Sequence, residues 1–230
     1  LYSSAASDVY KRQAHASAEP GLLFWDNVLK YTPAEAYAED GFHTISTNPC
    51  SEITLSAYDS CRLLLLNLTS FVSDPFTKKA SFDYKLFREK TVQAQRLMDD
   101  LIDLELECVD KIISKIESDP EPLETRVVEL DMWNRIKQAA LNGRRTGLGV
   151  TGLGDTLAML GLQYGSKNSI RKTESIYKEL ALASYYSSCI LAKERGSFPV
   201  YDFKKEQDHE FIQRIFDADP ELREMHRAHG

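Results

Sequence analysis

Apolar positions recur along this chain with several different periods. From Tyr84 to about Ser118, Leu86, Val92, Leu97, Leu101, Leu104, Cys108, Ile112 and Ile116 follow one another at mostly three- to five-residue steps, which predicts one long amphipathic helix. Ser118-Asp119-Pro120-Glu121-Pro122 breaks it. A second helix is predicted from about Asp131 to Asn142, ending at Gly143, and a third from about Asn168 to Arg195, closed by Gly196. The stretch Arg144–Asp155 is glycine-rich and leads into a short helix through Leu160. Ser197–Phe203 reads as extended, and Asp208–Ala218 as a last short helix. Two shorter apolar runs read as strands. Gly21–Asp26 fits a buried strand or strand end, and Leu63–Leu66, continuing through Asn67 to Val72, suits a strand buried on both faces of a parallel sheet. Between these, a turn at Thr32-Pro33 precedes a short helix that ends near Gly41.

The stretch richest in chemistry is Asn48-Pro49-Cys50-Ser51-Glu52, with Cys61 eleven residues beyond Cys50. Pro49 disfavours the helical region for Asn48 and cannot donate to a helix ladder, so the segment is expected to be extended. In an extended chain Asn48, Cys50 and Glu52 project to one side, placing an amide, a thiol and a carboxylate around one small molecule.

Composition narrows what the chemistry can be. The 28 basic and 35 acidic residues give 28 − 35 = −7, and no basic run suggests a nucleic-acid groove. No apolar run approaches the roughly 18 residues that span a bilayer, and no secretory signal is visible. Four cysteines in 230 residues do not form a secreted disulfide framework, so a cytoplasmic setting is expected. Cys108 and Cys189 fall on apolar helix faces and read as small hydrophobes. The spacing of Cys50 and Cys61, with five scattered histidines, does not supply a zinc site, and His43 and His209 lack the context of a cysteine-protease base. Gly147-Leu148-Gly149-Val150-Thr151-Gly152 satisfies a dinucleotide fingerprint, but the helical segment before it argues instead for a tight turn with close backbone packing. Arg144-Arg145 reads as a helix-end or solvent pair with phosphate as the alternative, and Tyr185-Tyr186 as core.

Asn-Pro-Cys-x-Glu, followed by Tyr58-Asp59-Ser60-Cys61-Arg62-Leu63 and Asn67-Leu68, resembles the active-site finger loop of the ribonucleotide reductase catalytic chain. Gly21-Leu22-Leu23-Phe24-Trp25-Asp26 and Arg144-Arg145-Thr146-Gly147-Leu148-Gly149-Val150 extend the resemblance over most of residues 14–203. It implies an α/β fold, a fragment of a ten-stranded barrel of two parallel five-stranded halves, mostly helical here with short strands and the finger loop. It also implies roles. Cys50 as a thiyl radical takes the 3′ hydrogen, Glu52 deprotonates the 3′-hydroxyl, Asn48 holds the ribose hydroxyls, and Cys61 is one half of the reducing dithiol; Leu63 is placed with Asn48 and Glu52 among substrate-binding residues. The implied partners are a ribonucleoside di- or triphosphate, a thioredoxin- or glutaredoxin-type reductant and a second copy of the full-length chain, with no nucleic acid or membrane.

The short Cys50–Cys61 gap resembles the adenosylcobalamin-dependent members, with no metal bound by the fragment itself; the alternative is a separate metal-containing radical subunit. A rival of another class is a non-enzymatic helical scaffold or binding domain. Residues 1–13 resemble translated adapter sequence and are set apart, leaving 14–230 as a partial catalytic barrel domain. The partner of Cys61, the phosphate loop and the C-terminal cysteines are missing from what is here, so the chain is expected to be an internal piece of a longer gene, inactive alone and barely stable.

Overall fold

The computed structural model describes residues 4–19 and 21–230, with side chains described from residue 8 onward, apart from residue 20. Residues 1–3 of the segment set apart above therefore lie outside the described residues. Helix α1 (Ser4–Ser17) follows them, and its positions 8–13 are all exposed.

Gly21–Phe24 is exposed and irregular, and Trp25 opens α2 (Trp25–Tyr31), so the buried strand expected over Gly21–Asp26 does not form. Its apolar side chains Leu22 and Phe24 find no neighbouring strand, at 66% and 76% exposure. A 3₁₀ segment, Pro33–Asp40, starts on the proline and stops at Gly41, whose φ of 95° suits only glycine comfortably. Strands β1 (Ser46–Thr47) and β2 (Thr54–Leu55) form a short antiparallel hairpin, Ser46 opposite Leu55 and Thr47 opposite Thr54.

Strand β3 (Leu63–Asn67) runs into a 3₁₀ turn at Leu68–Phe71, and β4 (Val72–Ser73) pairs antiparallel with β5 (Ser81–Phe82). The Asp83 carboxylate then accepts the Leu86 N–H at 2.9 Å and starts α3 (Tyr84–Ser118), the 35-residue helix that the sequence predicts. The face that packs differs from the expected one. Phe87, Thr91, Ala94, Gln95, Met98, Ile102, Leu106, Val109 and Ile116 are buried, whereas Leu97, Leu101, Leu104 and Cys108 are exposed. The helix carries two apolar stripes side by side. The buried one admits Thr91 and Gln95 because Thr91 bonds the Phe87 carbonyl at 2.8 Å and Gln95 the Thr146 hydroxyl at 3.0 Å. Cys108 is thus a surface thiol rather than a core hydrophobe.

Helix α4 (Leu123–Gly143) begins eight residues earlier than expected, directly after Pro122. It returns antiparallel along α3, with Arg126 bonding the Glu117 carbonyl and Lys137 pairing with Asp110. Gly143 ends it where a Cβ would overlap the Phe42 ring. Strand β6 (Gly147–Thr151) then pairs in parallel with β3, Leu63 opposite Gly147 through Asn67 opposite Thr151. The centre of the glycine-rich stretch is therefore a strand. The tight turn comes only at Gly152 (φ 74°), which opens α5 (Leu153–Met159). At Gly147 a Cβ would strike the Arg62 carbonyl oxygen, so glycine lets the strands approach.

The parallel pairing expected of Leu63–Leu66 is present, but burial on both faces is not. Leu63 and Leu65 are 46% and 55% exposed, while Leu64 and Leu66 are half-buried, Leu66 against the core that holds Phe71 and Phe87. Helix α6 (Lys167–Arg195) is capped by Ser166 and runs parallel to α3, tied by Arg88–Glu179, Arg96–Glu194 and the Ser187 hydroxyl on the Val92 carbonyl. It serves two cores. Ile176 and Leu180 join Leu68, Phe71, Phe82 and Phe87, with the Phe71 and Phe87 rings edge to face at 5.0 Å. Leu182 and Cys189 join Ile212, Ile215, Phe216 and Leu222.

After Gly196 the expected extended run Ser197–Phe203 is irregular, and Phe203 starts α7 (Phe203–Glu206). Two helices follow rather than one: α8 (Glu210–Ala218) and α9 (Pro220–His229), the second begun by Asp219 accepting from the Leu222 N–H with Pro220 at its first position. Among the described residues the sheets are three two-stranded pairs with no closed barrel, and no helix is long and apolar enough to cross a membrane. The architecture is predominantly helical mixed α/β.

Candidate functional site: the cysteine hairpin

The hairpin between β1 and β2 turns at Asn48-Pro49-Cys50-Ser51. The Ser51 N–H donates to the Asn48 carbonyl at 3.0 Å and Ser51 takes a φ of 66°. Pro49 sits where a turn accepts proline readily, at its second position. The expectation of an extended segment with Asn48, Cys50 and Glu52 on one face is thereby corrected. The proline constrains Asn48 alone, and the chain reverses immediately after it.

Asn48 is buried, at 8% exposure. Its N–H donates to the Ile53 carbonyl at 3.1 Å, and its Oδ1 accepts the Ile53 N–H at 3.0 Å, closing the hairpin from within. Its Nδ2 reaches the Cys61 sulfur at 3.7 Å. Cys50 and Glu52 lie exposed at the tip, and among the described residues neither side chain takes a hydrogen bond or ion pair. So the structure brings Asn48 and Cys61 together and leaves Cys50 and Glu52 open to solvent. Leu63 stands two residues beyond Cys61, exposed at the start of β3.

What holds Cys61 against the hairpin is a pair of arginines. Arg62, buried at 6% exposure, forks onto Glu105 of α3, through Nε and through Nη2 at 3.0 Å, and donates from Nη1 to the Arg145 carbonyl at 3.1 Å. Arg145 pairs with Asp59 and donates to the Thr54 carbonyl of β2 at 2.8 Å. The sequence alone places Arg145 at a helix end or in solvent. Here it joins the hairpin, the cysteine loop and the entry to β6. Its neighbour Arg144 caps the C-terminus of α4 and pairs with Asp99 and Asp103. In the sequence Asp59 and Arg62 stand out only as part of a motif, Arg145 is given a different place and Glu105 is not marked, so none of the four was assigned to the site. The adjacency of Arg62 to Cys61 was the available signal, but its partner lies 43 residues away.

A second chemistry-bearing cluster lies elsewhere. Glu206 accepts from the Tyr37 hydroxyl at 2.6 Å and bonds His226 Nε2 at 2.7 Å, and His226 Nδ1 lies 3.9 Å from the Cys189 sulfur. All four are buried, which agrees with the core role expected of Cys189. Burial first, and the Glu206 charge second, push the Cys189 thiol up to about 12. Tyr185 borders this core, as expected of the Tyr185-Tyr186 pair. A cavity of about 530 Å³ is lined by Tyr37, Glu206 and His226 together with Arg144 and Arg195; a smaller one of about 320 Å³ lies between β3 and α3. Neither borders Cys50 or Glu52. Asp99, Asp100 and Asp103 converge nearby, with Arg144 and Arg195 as their counter-charges.

The glycine fingerprint is not a nucleotide loop in this arrangement, because Gly147 and Gly149 are inside β6 rather than between a strand and a helix.

The chain matches the family model for the ribonucleotide reductase barrel domain over residues 7–228. It is similar to the vitamin B12-dependent ribonucleoside-diphosphate reductase of Mycobacterium tuberculosis, 30% identical over 194 residues, covering 84% of this chain and 23% of that protein. The protein of the same name from Thermoplasma acidophilum is 32% identical over 189 residues, covering 82% of this chain and 20% of its own length. The ribonucleoside-diphosphate reductase subunit alpha of Chlamydia pneumoniae is 28% identical over 163 residues, covering 69% and 13%. The chain thus spans less than a quarter of the length of these curated relatives. With that model covering nearly all of it, the chain belongs to the ribonucleotide reductase barrel-domain family.

Proposed function

We propose that this chain is the central part of a ribonucleotide reductase catalytic chain and carries the groups that convert a ribonucleoside diphosphate to its 2′-deoxy form by thiyl-radical chemistry. The observation that carries the reading is the hairpin itself: Asn-Pro-Cys-x-Glu, with Cys50 and Glu52 free at its tip and Cys61 brought back onto Asn48. The names of the relatives support the diphosphate as substrate.

The chemistry follows from the side chains. Loss of an unactivated 2′-hydroxyl is hard by heterolysis and easy beside a radical at C3′. Cys50 as a thiyl radical takes the 3′ hydrogen, breaking C3′–H and forming S–H. The Glu52 carboxylate takes the proton of the 3′-hydroxyl and gives it back when that hydroxyl is restored at the end of the cycle. The 2′-hydroxyl leaves as water, and Cys61 with a second thiol supplies two electrons and two protons, ending as a disulfide. Cys50 returns its hydrogen to C3′ and is again a thiyl radical. Asn48 offers a ribose hydroxyl the second N–H of its amide, the first being on Cys61, and Leu63 borders the substrate. The balance is ribonucleotide plus two thiols giving deoxyribonucleotide, disulfide and water.

Side chains cannot start a radical unaided. The names of two relatives support adenosylcobalamin as the source in the whole protein. The described residues do not fit that group: Cys50 has no partner among them and borders neither cavity, so nothing here cradles a corrinoid. Radical generation at Cys50 therefore belongs to parts outside these residues.

In the same proposal the whole protein closes a ten-stranded barrel around the hairpin, works in the cytoplasm as a homodimer, and is re-reduced by a thioredoxin-type protein. Residues 1–13 stay outside the catalytic unit. The exposure of positions 8–13 supports this, whereas the family match, which reaches back to residue 7, counts against it for residues 7–13. The test is deoxynucleotide formation by the complete chain with dithiothreitol. Turnover with adenosylcobalamin alone is the expected result. Turnover only with a metal-containing partner keeps the reaction and replaces the radical source, and none under either condition overturns the reading.

A further inference from the structure

We infer that Asn48 is a positioning residue for the Cys61 thiol, holding its sulfur with an amide N–H whose direction is fixed from the opposite side. This rests on the reading of Cys61 as a redox cysteine and concerns what controls its sulfur.

The orientation of the amide follows from its partners. The Ile53 N–H can only donate, so the group that faces it at 3.0 Å must be the Asn48 oxygen. The NH₂ group is left facing Cys61 Sγ at 3.7 Å. Asn48 cannot swing away, because its N–H and carbonyl are both engaged within the hairpin and its side chain is buried. The sulfur is anchored as firmly from the other direction. Arg62, the next residue, is forked onto Glu105, and Asp59, two residues before, is paired with Arg145, which also holds Thr54 of the hairpin. The contact between amide and sulfur is thus clamped at both ends, while Cys61 itself stays exposed.

An N–H aimed at sulfur can donate to the negative charge that builds on it while an S–S bond breaks. During re-reduction an external dithiol, as its thiolate, attacks the sulfur bonded to Cys61. A new S–S bond forms there, the bond to Cys61 breaks, and the electron pair leaves on Cys61 Sγ. A sulfur that already faces an N–H donor is the better placed of the two to take that electron pair, so the geometry directs the attack toward release of Cys61.

The experiment is iodoacetamide alkylation of the complete chain at fixed pH, with rates at Cys61 and Cys50 resolved by peptide mass spectrometry. Asn48→Asp keeps an oxygen for the Ile53 N–H and puts a carboxylate oxygen where the donor was. Cys61 should then react about tenfold more slowly, one charge-assisted hydrogen bond, with Cys50 unchanged within about twofold. Asn48→Ala should slow Cys61 in the same direction by a smaller factor. An unchanged Cys61 in Asn48→Asp overturns the inference, as does a parallel change at Cys50, which would mark loss of the hairpin instead. Turnover in a Cys61→Ser variant tests the redox reading separately. Full turnover there would remove that role of Cys61 and leave the alkylation result as it stands.

Discussion

The hairpin around Cys50 and the cluster around Cys189 hold similar inventories of side chains. Each sets a cysteine near a carboxylate and further hydrogen-bonding groups. By residue type alone the Cys189–His226–Glu206 set is the better imitation of a nucleophile, base and orienting acid. Its geometry points the other way. Every member is buried, Glu206 is bonded on both oxygens, and Cys189 is fully enclosed. The hairpin is sparse, yet Cys50 and Glu52 are exposed and unengaged while the residues beneath them are clamped. Groups that are satisfied and sealed hold a fold together. Groups left unsatisfied on a rigid support are free to do chemistry.

The largest difference should appear in thiol labelling of the native protein. A thiol pushed up to about 12 carries roughly a thousandth of the thiolate of an ordinary cysteine, and enclosure slows it further. Cys50 should label readily at pH 8 and Cys189 only on unfolding; equal rates would erase the contrast. Next is stability. Glu206→Ala removes one partner from a buried, hydrogen-bonded set and should cost about 3–5 kcal/mol in denaturant unfolding, whereas Glu52→Ala at the exposed tip should change it by less than about 0.5 kcal/mol.

Alkaline pH sharpens the same point. Cys189 is held protonated in the folded state, from 9.0 to about 12, and burial with the Glu206 charge also raises Tyr37, Tyr185 and Tyr201. Below pH 9 both states keep the proton and nothing changes. Above it the unfolded state ionises first, so stability should fall by about 1.4 kcal/mol per pH unit for Cys189 until about pH 12, with the tyrosines adding in the same direction above about pH 10. Cys189→Ala should remove the cysteine share of that slope. A smaller effect is expected at the clamp: Arg62→Ala should destabilise by about 2–3 kcal/mol through the lost fork on Glu105, and should alter Cys61 reactivity while leaving Cys189 silent.

The two longest helices were legible because their periodicity, caps and breakers agree. Tyr84–Ser118 and Lys167–Arg195 lie within a residue or so of expectation. Which stripe of α3 faces inward was not legible, since Leu97, Leu101 and Leu104 are as apolar as the buried set and only the placement of α6 and α4 decides. The glycines of β6 disguised a strand as a turn because what they allow, the close approach of Gly147 to the Arg62 backbone and of Gly149 to the Leu65 side chain, is a tertiary fact. At the site, the motif singled out Cys50, Glu52, Asn48 and Cys61 as candidates, and the structure brings Asn48 and Cys61 into contact. Their arrangement was not legible, because a proline turn replaced the extended segment and the Asn48–Cys61 contact depends on Arg62–Glu105 and Arg145–Asp59, pairs spanning 43 and 86 residues.

The central claim is that the exposed Cys50 performs the chemistry. Its most direct test is reduction of a ribonucleoside diphosphate by the complete chain, with dithiothreitol and adenosylcobalamin and no second protein, beside a Cys50→Ala variant shown to be folded. The account predicts deoxynucleotide from the parent chain and none above background from the variant. Turnover that survives Cys50→Ala would contradict it.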